Sequence, residues 1–476
     1  MLSDKLLKSS LFRHFFVKAL ITLSALAVLS LASQMFSFQR LMKWLLPLGL
    51  ATAVLLNFSD WNTNASFFNG MLRADNVALS FIGVLLVLAL FVLLLAPRFY
   101  NALPINSAES YAMQLFALCG ATCMLGFGNL SMLFIGIELL SISSYVMAGS
   151  DKQNLLSNEA ALKYFLMGSF ASGFLLFGIA LVYAATGSFD TAVIGQYAAA
   201  HVGSASPLFY GGIMLLLIAM SFKASLAPFH FWAPDVYEGS PTLITVFLIV
   251  VVKLAAFGAF ARLFLTCFMP LGNSIALVIG LIAVLTMSIG NLSAIGQSSF
   301  KRMLAYSGVA HAGYLMLGIL SANAAAYNAI LYYVIAYGAA SFIAFAALLL
   351  LDYQYNSEER QLFKGLAKQH PMLGVAVTIA MLSLAGIPPT AGFFGKYYLF
   401  SLAVQAGYTW VVAIAVINSL ISVYYYFSVI INMYSDADNP NNAPLDIPTA
   451  YKIVVAIATI ATLLLGIYPA LIMDIK

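Results

Sequence analysis

The chain is 476 residues long, 63% hydrophobic and only 8% charged, with a formal net charge of +4. A soluble domain carries roughly 25% charged residues, so this composition cannot coat a water-facing surface and excludes a soluble enzyme. No basic run is dense enough to hold nucleic acid, and the surrounding medium to expect is a lipid bilayer.

At the N-terminus, Lys5, Lys8, Arg13 and Lys18 precede the apolar run Ala19–Leu31. The pattern is that of a secretory signal, read here as a short first helix. Apolar segments then recur along the chain, near 16–36, 41–58, 77–96, 108–128, 131–149, 158–186, 207–230, 242–266, 273–296, 301–320, 325–351, 371–403, 409–434 and 451–472. Most are close to the roughly 20 residues that cross a bilayer as a helix, and the twelfth is over thirty, as suits a discontinuous helix. Lipid offers no partner to an unpaired amide, so each must be helical. The three cysteines lie inside such segments without a C-x-x-C pair. Cys119 and Cys123 share a helix face and read as small packing residues.

Connections after odd-numbered segments hold Arg40, Lys43, Arg98, Lys152, Lys301, Arg302, Arg360, Lys364, Lys368 and Lys452, whereas those after even-numbered segments hold Arg73 and Arg262. This asymmetry places the odd connections inside and both termini outside. The basic N-terminal segment argues the other way, but it is one segment against several loops. Two polar connections, Asp352–His370 and Ser435–Thr449, read as solvated loops or as contact surfaces for a partner protein.

Chemistry concentrates in ionisable residues inside the apolar segments: Glu138, Lys163, Lys223, Lys253 and Lys396. Each costs roughly 2.5–3.5 kcal/mol at a helix centre, so the five together cost on the order of 12–17 kcal/mol unless pairing or hydration offsets it. Lys163, near a segment end, could reach the headgroups by snorkelling, while Lys223 and Lys253 lie too deep. One carboxylate faces four lysines, which cannot all stay charged in a dry interior. A row of such amines suits the passing of protons at neutral pH. Glu138 and Lys163, on consecutive helices, form the natural ion pair. His311, mid-segment beside Tyr306 and Ser307, and His230, after a helix break near the interface, both titrate near neutrality and are candidates to carry protons.

Two breaks occupy matching places. Ser221–Pro228 interrupts the seventh segment beside Lys223, and Ser383–Pro389 interrupts the twelfth before Lys396. Proline removes a backbone donor and clashes with the preceding turn. Broken helices at corresponding points of two halves point to a transporter with inverted repeats. An odd repeat of five helices requires the halves to be inverted in the membrane. The fold expected is therefore an all-α membrane protein of about fourteen transmembrane helices. Residues 1–107 form three N-terminal helices, 108–266 the first five-helix repeat and 267–434 the second. Residues 435–476 supply a polar loop and a last helix, and helices seven and twelve are discontinuous.

The run Pro228-Phe-His-Phe-Trp-Ala-Pro-Asp-Val-Tyr-Glu-Gly-Ser-Pro241 resembles a signature of subunit N of the proton-pumping NADH:quinone oxidoreductase, respiratory complex I. So do Gly136–Leu140, Lys301–Ser307 with His311–Tyr314, and Ser383–Pro388 with Gly395 and Lys396. The Pro-Asp-Val-Tyr run favours this subunit over its antiporter-like sisters L and M, and lysine at 396 departs from subunit M, which carries glutamate there. The resemblance covers roughly residues 75–430. It implies that Glu138 and Lys163 form the pair of helices five and six, that Lys223 is the channel lysine of helix seven, Lys253 the connecting lysine and Lys396 the terminus of that channel. It also implies a multi-pass subunit of a bacterial inner membrane, packed against neighbouring membrane subunits. This chain would hold no cofactor, whereas the parent complex would use NADH, FMN, iron–sulfur clusters and quinone.

A multisubunit cation/proton antiporter is the nearest alternative, though sodium prefers several oxygen ligands and one mid-membrane carboxylate serves it poorly. A haem-bearing electron carrier would want paired facing histidines, for which only His230 and His311 are candidates. A purely structural subunit would leave four intramembrane lysines unexplained.

Overall fold

A computed structural model describes residues 15–100, 105–436 and 445–474. Lys5, Lys8 and Arg13 of the signal-like segment lie outside these residues, as does the middle of the polar connection before residue 449. Every apolar segment of the sequence carries helix. In chain order these are α1 (Phe15–Met35), α2 (Gln39–Ser59), α3 (Asn76–Tyr100), α4 (Ser107–Leu125), α5 (Leu130–Ala148) and α6 (Leu155–Thr186). After a short α7 (Thr191–Ala200) come α8 (Pro207–Lys223) and the half-helix α9 (Trp232–Gly239). The remainder are α10 (Thr242–Cys267), α11 (Gly272–Ile295), α12 (Phe300–Leu320), α13 (Ala326–Tyr355), α14 (Pro371–Ala385), α15 (Ala391–Gln405), α16 (Thr409–Tyr434) and α17 (Thr449–Ile467). Among the described residues, eleven helices are long and apolar enough to cross a membrane, and α8 and α14 are shorter apolar helices.

Burial inverts the soluble pattern. α10, α12 and α13 are almost wholly enclosed, while α6 and α16 bury only a third of their apolar windows. On α6, Leu162, Phe165, Leu166, Phe170 and Phe177 are exposed, an apolar face suited to lipid or a neighbouring membrane subunit. With lipid as apolar as leucine, helices associate through close packing of small residues. A Cβ at Gly120 of α4 would stand 2.5 Å from the Leu140 nitrogen of α5, and one at Gly290 of α11 would stand 2.5 Å from the Ala310 nitrogen of α12. Only glycine allows either approach. Side-chain caps seal the ends of several helices: Asn129 accepts from Ser131 N, Asn154 from Leu156 N, Asp190 from Ala192 N and Ser299 from Arg302 N. Single antiparallel bridges join Asn129 to Asp190 and Ser299 to Glu359.

Two local features, a hairpin and a π turn, depart from the sequence reading. The connection between α2 and α3 folds into a hairpin, with β1 (Ala65–Phe67) pairing β2 (Leu72–Ala74) in the register Ser66 to Arg73. The seventh segment breaks inside the expected Ser221–Pro228 stretch: helix ends at Lys223, with Ser225 at φ 59° and a cis Ala227–Pro228 bond beyond it. The tenth helix widens into a π turn over Leu248–Val252, immediately before Lys253. Such turns often mark functional positions. In the twelfth segment helix is interrupted between Ala385 and Ala391, through Gly386 at φ 83° and a cis Pro388–Pro389 bond.

Candidate functional site

Lys223 is the last residue of α8 and is 5% exposed. Its ammonium donates to Ser141 Oγ of α5 at 2.5 Å and stands 5.7 Å from the ring centres of both Tyr145 and Tyr164. Ser141 in turn donates to the Ile137 carbonyl. Behind it, Trp232 Nε1 donates to the Phe222 carbonyl at 2.9 Å, fixing the backbone next to the lysine across the break.

Lys253 is 3% exposed and donates to the carbonyl of Gly308 on α12, with its Nζ 5.3 Å from the Tyr337 ring centre. One turn on from Gly308, His311 is held at both ring nitrogens: Nδ1 lies 2.7 Å from Tyr333 Oη and Nε2 lies 3.0 Å from Tyr426 Oη. Tyr426 is also hydrogen-bonded to Ser307. The imidazole packs against the rings of Tyr337 at 4.9 Å and Tyr314 at 5.8 Å. Lys396 of α15 then stands 5.0 Å from the Tyr314 ring centre. It donates to Ser419 Oγ and to the carbonyl of Ala385, each at 2.8 Å. Ala385 ends α14, so the break supplies the acceptor. Lys396 is 5% exposed and closed into the protein.

The fold thus brings Lys253, His311 and Lys396 together through tyrosines of α12, α13 and α16. Among the described residues Lys223, Lys253 and Lys396 meet no carboxylate; each bonds a hydroxyl or a carbonyl. The expected ion pair of Glu138 with Lys163 is not formed. Glu138 accepts from Ser172 of α6. Lys163 pairs at 2.7 Å with Glu159, one turn before it, and at 2.7 Å with Asp235 on α9. The reason is rotation about α6. Ser172 lies nine residues beyond Lys163, about two and a half turns, so the two side chains leave the helix on opposite faces. His230, expected near the interface, is 3% exposed, and its Nδ1 has no hydrogen-bond partner among the described residues.

The sequence reading missed a charged cluster at one end of the bundle. A cavity of about 630 Å³ is lined by Asp151, Glu159, Lys163, Asp235, Glu238 and Arg302, among others. Arg302 pairs with Asp235 at 3.1 Å and also with Glu238. Lys301, read from sequence as a loop charge, is 1% exposed and donates to Glu358 and to the Ser240 carbonyl, each at 2.6 Å. Asp235 stood in the quoted signature run. Its two partners come from helices distant in sequence, so no spacing could reveal them.

Comparison with known proteins gives a consistent picture. Residues 128–422 match the family described as NADH:quinone oxidoreductase/Mrp antiporter, transmembrane. The chain is similar to NADH-quinone oxidoreductase subunit N of Flavobacterium psychrophilum, 39% identical over 96% of this chain and 100% of that one. The same protein from Cytophaga hutchinsonii is 39% identical over 96% and 99%. Among solved structures, a chain of respiratory complex I from Thermus thermophilus with bound aureothin superposes with a TM-score of 0.81 at 34% identity, covering 95% of this chain and 98% of that one. A chain of the Mrp complex from Dietzia sp. shares the fold, with a TM-score of 0.83 at 21% identity over 97% and 95%.

Proposed function

The chain belongs to the NADH-quinone oxidoreductase subunit N family, and from that premise we propose that it translocates protons for a bacterial respiratory complex, packed in the membrane against the other subunits. Electron transfer to quinone would take place in those subunits, which would carry the NADH, FMN and iron–sulfur chemistry, with no redox centre in this chain. The observation that carries the reading is the row of enclosed lysines bonded to neutral acceptors. An ammonium on a hydroxyl or carbonyl can release its proton without leaving a buried carboxylate unpaired. Its neighbours, tyrosine hydroxyls and the His311 ring, both accept and donate hydrogen bonds.

In this reading Lys223, Lys253, His311 and Lys396 form the path, and Glu138 and Lys163 adjust its first half. Protons would hop along the membrane plane between the two breaks. The chain would cross the membrane fourteen times, counting α4 and the broken pairs α8–α9 and α14–α15 as crossings. Inverted repeats over 108–266 and 267–434 agree with the matched glycine contacts of α4–α5 and α11–α12, and with the matched bridges Asn129–Asp190 and Ser299–Glu359. Both termini would face outward.

The test is Lys223 in the assembled complex, reconstituted into proteoliposomes. Lys223→Ala should leave the complex assembled and abolish most pumping coupled to quinone reduction. Lys223→Arg should fail as a relay too, because arginine does not deprotonate in proteins. Full pumping by the arginine variant would sink the relay.

A further inference from the structure

We propose that the half-helix α9 is a charge-clamped positioning element, with Asp235 as its pivot, coupling the charges of Lys163 and Arg302 to the placement of Lys223. The proposal rests on the reading of Lys223 as a proton carrier and adds to it a residue, and a route between halves, that lie outside the membrane row.

Asp235 divides its carboxylate: Oδ2 takes Lys163 of α6 at 2.7 Å and Oδ1 takes Arg302 of α12 at 3.1 Å. Glu238, one turn later on α9, takes Arg302 as well. The half-helix is thus pinned on one side by a helix of the first half and on the other by a helix of the second. From Asp235 the contacts run inward without a gap. Tyr164, next to Lys163, stacks on Trp232 at 4.4 Å with ring planes 7° apart. Trp232 begins α9 and donates to the Phe222 carbonyl, beside Lys223. Tyr164 is itself within 5.7 Å of the Lys223 ammonium.

A short helix between two breaks, with Ser225 at φ 59° before it and Pro241 after it, moves as one piece. When the Lys163 contact is lost, Asp235 keeps only Arg302. The pull on α9 then becomes one-sided, and Trp232 and the Phe222 carbonyl are drawn toward the second half. Loss of the Arg302 contact acts in the opposite sense. Coupling of this kind needs a demonstrated interaction between the residues along it.

The experiment uses the whole complex in proteoliposomes and reads protons pumped per NADH oxidised, alongside the rate of NADH oxidation. Asp235→Asn keeps shape and one acceptor but removes the charge. It should lower the ratio roughly two- to fivefold, the scale of one partly exposed ion pair. Asp235→Glu should stay within about twofold of the parent. Lys163 reaches α9 through Asp235, so adding Lys163→Gln to Asp235→Asn should cost less than the sum of the two single losses. Trp232→Phe, which keeps the stack on Tyr164 and loses the bond to Phe222, should reproduce the loss and decides the matter should Asp235→Asn fail to assemble. A parental ratio in Asp235→Asn or in Trp232→Phe, equal losses in the Asn and Glu variants, or additive losses in the double variant would each overturn the proposal. Lys223→Ala serves as the reference. Normal pumping there defeats the proton-path reading itself, whereas its failure beside a normal Asp235→Asn defeats only the positioning role.

Discussion

Replacing Gly308 by alanine tests the second half of the path at one methyl group. A Cβ at this position would stand 2.9 Å from Lys253 Nζ and 2.8 Å from Tyr337 Oη. Both are the far ends of flexible side chains, so the backbone of α12 can stay in place while the two polar tips give way. The displaced ammonium loses the Gly308 carbonyl as its acceptor. A hydrogen bond from a charged donor is worth roughly 1.5–3 kcal/mol, which corresponds to about a ten- to hundredfold drop in the population of the bonded geometry. Tyr337 also packs on His311 at 4.9 Å, so the same methyl disturbs the link from Lys253 to His311. The expected outcome is a complex that assembles and oxidises NADH but pumps at a tenth of the parental ratio or less, measured by fluorescence quenching in proteoliposomes. Gly173→Ala is the control, because nothing lies within 4 Å of a Cβ there. Parental pumping by Gly308→Ala, or an equal defect in Gly173→Ala, would refute the argument.

Three further outcomes follow from the geometry. In double-mutant cycles read by pumping rate, Lys163→Ala should couple more strongly to Asp235→Asn than to Glu138→Gln, since Lys163 bonds Asp235 while Glu138 bonds Ser172. Arg262 donates to both oxygens of Asp75 and to the Phe127 carbonyl at 2.8 Å. Arg262→Leu removes the donor to the Phe127 carbonyl and to Asp75 Oδ2, while Asp75 Oδ1 keeps the Ala78 N–H, and should therefore destabilise the subunit by roughly 2–3 kcal/mol, seen as an earlier thermal unfolding of the purified complex. For orientation, a cysteine at exposed Asn356 should react with an impermeant thiol reagent only from the cytoplasmic face, and one at exposed Ser204 only from the outer face; the reverse pattern would invert the topology.

The membrane class and the sites of the two breaks were legible because they depend on local chemistry. Apolar length forces helix in lipid, and proline with glycine interrupts it wherever it occurs. The costly residues were legible for the same reason, since an ionisable group in an apolar run stands out without any knowledge of its neighbours. What each lysine touches was not legible. Lys163 and Glu138 sit on adjacent helices, yet rotation about α6 sends Lys163 to Asp235 and leaves Glu138 with Ser172. The tyrosines around His311 come from α13 and α16, and in sequence they are indistinguishable from ordinary apolar packing. The β1–β2 hairpin and the π turn before Lys253 were likewise hidden, because a three-residue strand and a one-residue widening leave no periodic trace.

The sequence by itself determined that this chain lives in a bilayer, that it is built of apolar helices broken beside Lys223 and Lys396, and that it buries lysines against a real energetic cost. The tertiary structure alone decided that Lys223, Lys253 and Lys396 rest on hydroxyls and carbonyls while Lys301 takes Glu358, that Lys253 and Lys396 converge on the tyrosines around one histidine, and that further carboxylates gather at a cavity around Asp235. The physical reason is that composition and breaks act along the chain. A side chain's partner depends on the azimuth and height of every helix packed beside it, and those are fixed only when all the helices are in place.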